Sequence, residues 1–431
     1  MNSIQVQEYG DTFSLEIKNK TNEDIRKIID RLNEKYTKKL RLRNTPFQIK
    51  PENKFRIRDI TGQIRISNLD LVIVPKYLQI DDSQKWLKAL MQMLHIANTK
   101  SYSPYSSVKG SKNRLYFFDF IARNFIYLLA PAIKDGLPLG YVKQKQESSF
   151  LRGRLDIIQQ AKNIFTKPHV VACITETLTE NIPLSIVLKW ACRFLSYQVT
   201  NVFLRHRLSE FLESFSEVSD ILPPSGIIDR LGILGTQIRY QKPFEIAQLL
   251  IKQRGQNFDP KTSQIPGILF DSSTVFEEFI SGCLARIARR NEGWTHRRQK
   301  QFILATNPKN PIDIQPDDVL RVNGNVALVL DSKYKKDTLK YTTDPDPNSS
   351  DVYQLICSCQ AASSNYGVLI YPSAKFVDLS EYKIVKEQKP KKFFTLGIPP
   401  MELAEQDGES RILNHLEKNI QKIINASIRA S

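Results

Sequence analysis

The sequence predicts a mixed α/β (α+β) protein of several domains, and three observations carry that prediction. Segments with a 3.6-residue apolar period alternate with short β-rich runs in residues 1–100 and again in residues 266–431. The intervening stretch, 101–265, reads as mostly helical with short strands. Late in the chain, two β-rich runs flank Asn323-Gly324-Asn325, a strong hairpin signal. A chain of 431 residues accommodates two or three domains of ordinary size. The expected division is a small N-terminal α+β domain over 1–100, a helical middle domain over 101–265 and an α/β layer domain over 266–431.

In order, Asn22-Glu23-Asp24 opens an amphipathic helix with Ile25, Ile28, Ile29 and Leu32 on one stripe. Phe55–Arg58, Gly62–Ile66 and Leu69–Lys76 read as strands, and Trp86–Ile96 returns to helical spacing. A polar stretch, Ser101–Asn113, reads as a linker. Leu115–Ile133 is apolar nearly all round, the pattern of a buried helix. Leu151–Ile157 and Val170–Ile174 read as strands, Pro183–Phe194 and Glu245–Lys252 as helices. The last region runs helix (Val275–Arg289), strands (Ile312–Lys333), helix (Val352–Ser363) and strand (Gly367–Pro372), with a closing amphipathic helix over Ser410–Ile428.

Composition narrows the function. Hydrophobic residues at 41% and charged residues at 25% exclude a disordered chain. No apolar run approaches the roughly 20 residues that span a bilayer, and the first residues lack the pattern of a secretory signal. The expectation is a soluble, cytoplasmic protein. Sixty-two Lys and Arg against 45 Asp and Glu give a formal charge of +17, an excess that attracts polyanions, nucleic acid first among them. The five cysteines are scattered, the five histidines never pair at helical metal-ligand spacing, and a zinc enzyme is not expected. No Gly-x-x-x-x-Gly-Lys-Ser/Thr loop occurs, so the chain is not itself a P-loop NTPase.

The chemistry concentrates in the hairpin Gln315–Lys335. Asp331 and Lys333, two apart in a strand, share a face. A three-residue loop would set Asp317 opposite Asp331; a two-residue Asn-Gly loop would shift the register by one and bring Asp318 to that face. Either way a second carboxylate meets Asp331. Close carboxylates repel unless one is protonated or a cation lies between them. Hard oxygen ligands favour Mg²⁺ or Mn²⁺, and a neighbouring lysine can steady charge developing on a phosphoryl group.

Pro316-Asp317 followed by Asp331-Ser332-Lys333 resembles the PD-(D/E)xK nuclease core. More narrowly, Leu330-Asp331-Ser332-Lys333-Tyr334-Lys335 resembles the McrC family, the nuclease subunit of McrBC-type modification-dependent restriction systems. Val275–Ile280 resembles that family's helix with an extra acidic residue, which falls on Glu277 with Glu278 as its neighbour. Tyr353-Gln354-Leu355 and Gly367–Pro372 resemble its next helix and strand. Asp135-Gly136-Leu137 with Tyr141, Leu151–Asp156, Asn181–Leu184, and Gly62-Gln63-Ile64 leading to Val74-Pro75-Lys76 also fit, so that the likeness spans roughly residues 55–375. Ile356-Cys357-Ser358-Cys359 departs from the small and aromatic residues usual there.

The resemblance implies a restriction-endonuclease-like C-terminal domain and a metal-dependent DNA endonuclease. Asp317 and Asp331 would hold Mg²⁺ or Mn²⁺, Glu277 helping directly or through water, while Lys333 orients water or neutralises transition-state charge. Gln354 would hold Lys333 or a phosphate, and Tyr334 and Tyr353 read as packing residues. Arg152 and Arg154 are candidates to touch DNA phosphate or to pair with acids. The implied partners are double-stranded DNA and a McrB-like hexameric AAA+ GTPase/NTPase, docked through the N-terminal part. Two rival functions remain: a non-catalytic DNA-binding adaptor that stimulates an AAA+ motor, and a stand-alone repair or resolvase nuclease of the same fold.

Overall fold

The computed structural model describes residues 2–17, 20–66, 69–77, 83–97, 117–221, 228, 230–254, 268–306, 311–335, 347–385 and 390–429. The linker expected over 101–113 and the boundary expected at 266 lie outside the described residues. The protein forms two compact units, one of residues 1–101, 111–114 and 264–431, the other of 102–110 and 115–263.

In the first unit, β1 (Asn2–Gln7), β2 (Phe13–Ser14), α1 (Asn22–Leu40), β3 (Phe47–Lys50), β4 (Lys54–Ile57), β5 (Ile60–Ile66), β6 (Leu69–Val74) and α2 (Ser83–Ala97) come first. Helix α1 is capped by Thr21, one residue before the predicted opening. Its side chain accepts from the Asp24 N–H at 3.2 Å while the Asp24 carboxylate accepts from the Thr21 N–H at 3.0 Å. Ile25, Ile29 and Tyr36 of α1 are buried with Phe47, Phe55, Ile57, Ile64, Leu71 and Ile73, which closes the N-terminal core.

The second unit contains α3 (Phe117–Ile133), β7 (Gly140–Ser148), β8 (Arg154–Leu155), α4 (Ile157–Thr166), β9 (Val171–Thr179), α5 (Pro183–Gln198), α6 (Val202–Ser214) and α7 (Gln241–Arg254). The strand expected over Leu151–Ile157 shrinks to two residues. Asp156 leaves the extended run to cap α4, accepting from the Gln159 N–H at 3.2 Å. Helix α4 lies on the β7-β9-β8 sheet by its polar side. Asn163 donates to Glu147 at 3.1 Å, and Gln160 accepts from the Ala172 N–H at 2.7 Å. Its apolar side chains therefore face outward: Ile157, Ile158 (74% exposed), Ile164 and Phe165 (90% exposed). Arg152 and Arg154 are both exposed, the Arg152 guanidinium lying 4.5 Å over the Phe150 ring.

The chain then returns to the first unit with β10 (Ile268–Asp271), α8 (Ser272–Arg290), β11 (Trp294–Arg298), β12 (Phe302–Ala305), β13 (Ile312–Ile314), β14 (Asp318–Val322), β15 (Asn325–Ser332), α9 (Ser349–Ala361), β16 (Tyr366–Pro372), β17 (Val377–Lys383), β18 (Lys392–Ile398) and α10 (Gly408–Arg429). The N-terminal and C-terminal stretches are thus one unit where two were expected. The reason is β10, which pairs antiparallel with β5 and completes the sheet β1-β6-β5-β10. A six-stranded mixed sheet, ordered β11-β14-β15-β16-β18-β17, carries the C-terminal half. Helix α9 covers one of its faces through Leu355 and Cys359 against Val329, Leu369 and Tyr371. No described helix is long and apolar enough to cross a membrane.

Helices α8 and α2 meet backbone to backbone at Gly282. A Cβ there would lie 2.2 Å from the Ile96 carbonyl oxygen, which no side-chain rotation relieves. Gly282→Ala is expected to lower stability by about 1–3 kcal/mol through forced separation of the helices. Thermal denaturation of the full chain checks this, and an unchanged melting temperature would refute it.

Candidate active site

The site is built by one hairpin whose register the local turn does not determine. Asn323 (φ 51°) and Gly324 (φ 84°) form a two-residue loop of consecutive left-handed residues, which pairs Val322 with Asn325 and Arg321 with Val326. That register alone would bring Asp318 to the face of Asp331. A bulge at Ala327 then inserts one residue in β15, so Leu320 pairs with Leu328 and Asp318 with Leu330. One step further along, Asp317 lies opposite Asp331. The Ser332 N–H donates to Asp317 Oδ2 at 2.8 Å. Asp318 turns to the other face, fully buried, where His296 Nε2 stands 2.7 Å from its Oδ1.

Two carboxyl groups are consequently held together, Asp331 buried and Asp317 half-buried. Both Asp331 oxygens are buried. The Lys333 ammonium stands 2.5 Å from Oδ2 as an ion pair. Burial first, then the Asp331 carboxylate and a hydrogen bond with it, then Glu277, hold the Asp317 carboxyl well above the ordinary carboxylate range; the Ser332 N–H pulls the other way.

Alternate residues of the strand end meet α9. Val329 packs on Leu355, Lys333 donates to Gln354 Oε1 at 3.0 Å, and Lys335 donates to the buried Asp351 at 2.7 Å. Positions 351, 354 and 355 share one side of a helix, so three rungs of the strand are matched to one helical face. Lys333 is thereby held at both sides, with only 14% of its side chain exposed. Tyr353 faces solvent at 66% exposure and is not the packing residue expected, because the same face pairing turns it away.

Glu277, on α8, lies at the edge of this group. It accepts from Gln299 Nε2 at 3.0 Å and pairs with Arg298 Nη2 at 3.4 Å, while Glu278 pairs with Arg298 Nη1 at 3.2 Å. Burial, ahead of the other effects, raises the Glu277 carboxyl above its usual range. Among the described residues no three His, Cys, Asp or Glu side chains converge as a metal-holding group. The structure therefore brings Asp317, Asp331, Lys333 and Gln354 together and leaves Glu277 engaged by Arg298 and Gln299. Sequence reasoning did not find Gln299. Its φ of 45° is left-handed, its N–H donates to the Asp317 carbonyl at 2.8 Å and its side chain reaches Glu277. A polar residue between Arg298 and Lys300 carries no signal of that bend.

Residues 55–372 match the family model described as "McrBC 5-methylcytosine restriction system component". The chain belongs to this family. Among solved structures, an assembly of Thermococcus gammatolerans McrB AAA+ hexamers with bound McrC contains a chain 20% identical to this one. The match covers 97% of this chain and all of that one, with a TM-score of 0.62, and at that identity the likeness is one of fold. A chain of the Thermococcus gammatolerans McrBC complex is also 20% identical, over 66% of this chain and 88% of its own, with a TM-score of 0.49. No curated protein matches.

In this McrBC-family chain the raised Asp317 carboxyl has a consequence for stability. The folded state holds that proton more tightly than the unfolded chain does, so stability falls as pH rises above about 4, where the unfolded carboxyl ionises. Asp317→Asn cannot ionise and keeps an acceptor for the Ser332 N–H. The variant is expected to melt at a higher temperature than wild type near about pH 8 and at a similar one near about pH 4. A wild type at least as stable as the variant at high pH without cation would contradict the repulsion.

Proposed function

We propose that this chain is the metal-dependent DNA endonuclease subunit of a McrBC-like restriction system, hydrolysing phosphodiester bonds beside an AAA+ partner. The observation that carries the reading is the carboxyl pair of half-buried Asp317 and buried Asp331 with the Lys333 ammonium against it. Uncompensated acids are expensive to bury, and a divalent cation is the ligand that such a pair favours. The donor set fits Mg²⁺, which is commonly held by one or two carboxylates and otherwise by water and substrate phosphate. Asp317 and Asp331 would hold the ion, and Glu277 would join through water. Bound there, Mg²⁺ supplies Lewis-acid activation of the scissile phosphate and lowers the pKa of attacking water.

The chain's own residues do the rest. Lys333 offers its ammonium to the charge growing on the phosphoryl oxygens. Gln354 fixes the direction of that ammonium through its Oε1. The formal charge of +17 supports duplex DNA as the substrate. A non-catalytic adaptor has no use for the intact Asp317, Asp331 and Lys333 set.

The partner in this reading is a McrB-like AAA+ NTPase hexamer, as in the Thermococcus gammatolerans assembly. The lack of a P-loop in this chain makes such a partner the source of nucleotide-driven work. The surface that best supports docking is the outward apolar side of α4, where Ile157, Ile158, Ile164 and Phe165 stand among the exposed Arg152, Arg154, Lys162 and Lys167. That surface belongs to the middle unit, whereas the resemblance implied docking through the N-terminal part.

One reconstitution tests both halves. With Mg²⁺, DNA and the partner present, Lys333→Ala is expected to lower plasmid cleavage by about 100-fold or more while leaving DNA affinity and stimulated NTP turnover near wild type. Phe165→Asp is expected to abolish the stimulation while the purified chain keeps its melting temperature. Wild-type cleavage by Lys333→Ala would displace the nuclease site; full stimulation by Phe165→Asp would displace the docking surface.

A further inference from the structure

We infer that Glu8, Tyr334 and Lys76 form a positioning cluster through which the N-terminal sheet fixes the catalytic lysine, an inference that rests on the nuclease reading above. Residues 333 to 335 alternate in direction: Lys333 and Lys335 meet α9, and Tyr334 points the opposite way. There its hydroxyl donates to Glu8 Oε2 at 2.6 Å. Glu8 follows β1, is almost fully buried, and also accepts from the Lys76 N–H at 3.3 Å. The parallel pairing of β1 with β6, Gln7 opposite Val74, brings Glu8 and Lys76 near each other just beyond the strand ends.

Lys76 closes the cluster from the other side. Its ammonium donates to the Tyr334 carbonyl at 3.2 Å and lies 3.9 Å over the Tyr334 ring. The main chain directly after Lys333 is thus held at its carbonyl by Lys76 and through its side chain by Glu8. The Tyr334 ring further meets Tyr77 edge-on at 5.4 Å and Phe276 at 6.1 Å, and Phe276 immediately precedes Glu277. A single half-buried tyrosine therefore touches the N-terminal sheet, the strand end with Lys333 and the helix turn with Glu277. A tyrosine hydroxyl on a buried carboxylate is more specific than packing requires, since phenylalanine fills the same space without a polar atom to satisfy. Loss of that anchor frees the backbone of 334 and lets the Lys333 ammonium leave its place between Asp331 and Gln354. None of the three touches the reacting atoms; they are positioning residues.

The test uses the full chain with its partner and two readouts. In steady-state cleavage, Tyr334→Phe and Glu8→Ala are expected to lower kcat by on the order of 10-fold with KM for DNA within about 2-fold, while Glu8→Gln, which keeps an acceptor for the hydroxyl, restores most of the rate. Independently of activity, acetylation of Lys333 by an N-hydroxysuccinimide ester is followed by peptide mass spectrometry. Its rate should rise several-fold in Tyr334→Phe and Glu8→Ala but not in Glu8→Gln, with the exposed Lys375 as unchanged control. Unchanged Lys333 labelling in the first two variants overturns the inference. So does equal loss of kcat, DNA affinity and melting temperature in all three variants, the sign of a merely structural role. If wild type never cleaves, the nuclease reading fails by itself, and the labelling still decides whether the cluster holds Lys333.

Discussion

The repulsion between Asp317 and Asp331 is the constraint around which the C-terminal half is organised. Two carboxyl groups with little water around them separate, take up a proton or bind a cation unless the scaffold prevents the first of these. The scaffold does so from several directions. The Ser332 N–H holds one Asp317 oxygen, the Gln299 N–H holds the Asp317 carbonyl, and the paired strands β14 and β15 leave neither residue free to swing away. What remains is a carboxyl pair in which Asp317 keeps its proton more firmly than a free carboxyl does, with one ammonium beside Asp331. Ionising both acids at once is the costly state that the fold holds in reserve.

Around that pair, the surrounding elements are fixed by strand alternation against helix periodicity. Val329, Asp331, Lys333 and Lys335 point to one side of the sheet, and the Asp351, Gln354 and Leu355 face of α9 answers them. The close approach is possible because Gly367 on β16 leaves room: a Cβ there would stand 2.9 Å from Cys359 Sγ and from Leu355. Between them, the polar rungs of the ladder fix the lysine and the apolar rung keeps the helix on the sheet. The residues on the opposite side of the same strand end, Tyr334 above all, tie this ladder to the N-terminal sheet.

The middle unit follows a different logic. In a helix on a sheet the apolar stripe normally goes inward; α4 does the reverse, satisfying Gln160 and Asn163 against β9 and β7 and leaving isoleucines and a phenylalanine in water. The arrangement is explicable as an interface, since exposed apolar side chains in this number are costly in an isolated chain. Hydrophobic periodicity alone marks such a helix as amphipathic and assigns its apolar side to the core.

Much of the candidate site was legible in the sequence because its chemistry is local. Asp331 and Lys333 are two apart on one strand, so alternation alone puts them on one face, and the Pro-Asp before an Asn-Gly hairpin supplies the second acid. The family resemblance added Glu277 and Gln354, and the mixed α/β class followed from the two apolar periods. What the sequence left open was long-range. The choice between Asp317 and Asp318 turned on a bulge at Ala327, beyond the turn, after which Asp318 meets His296 and Asp317 the face of Asp331. The joining of the N-terminal and C-terminal stretches turned on β10 adding to β5, a pairing between residues some two hundred positions apart. Propensity and period act over a few residues and so fix which side chains can share a face. Register, sheet edges and the partners of a buried carboxylate are set by packing between distant segments, and only the tertiary structure decides them.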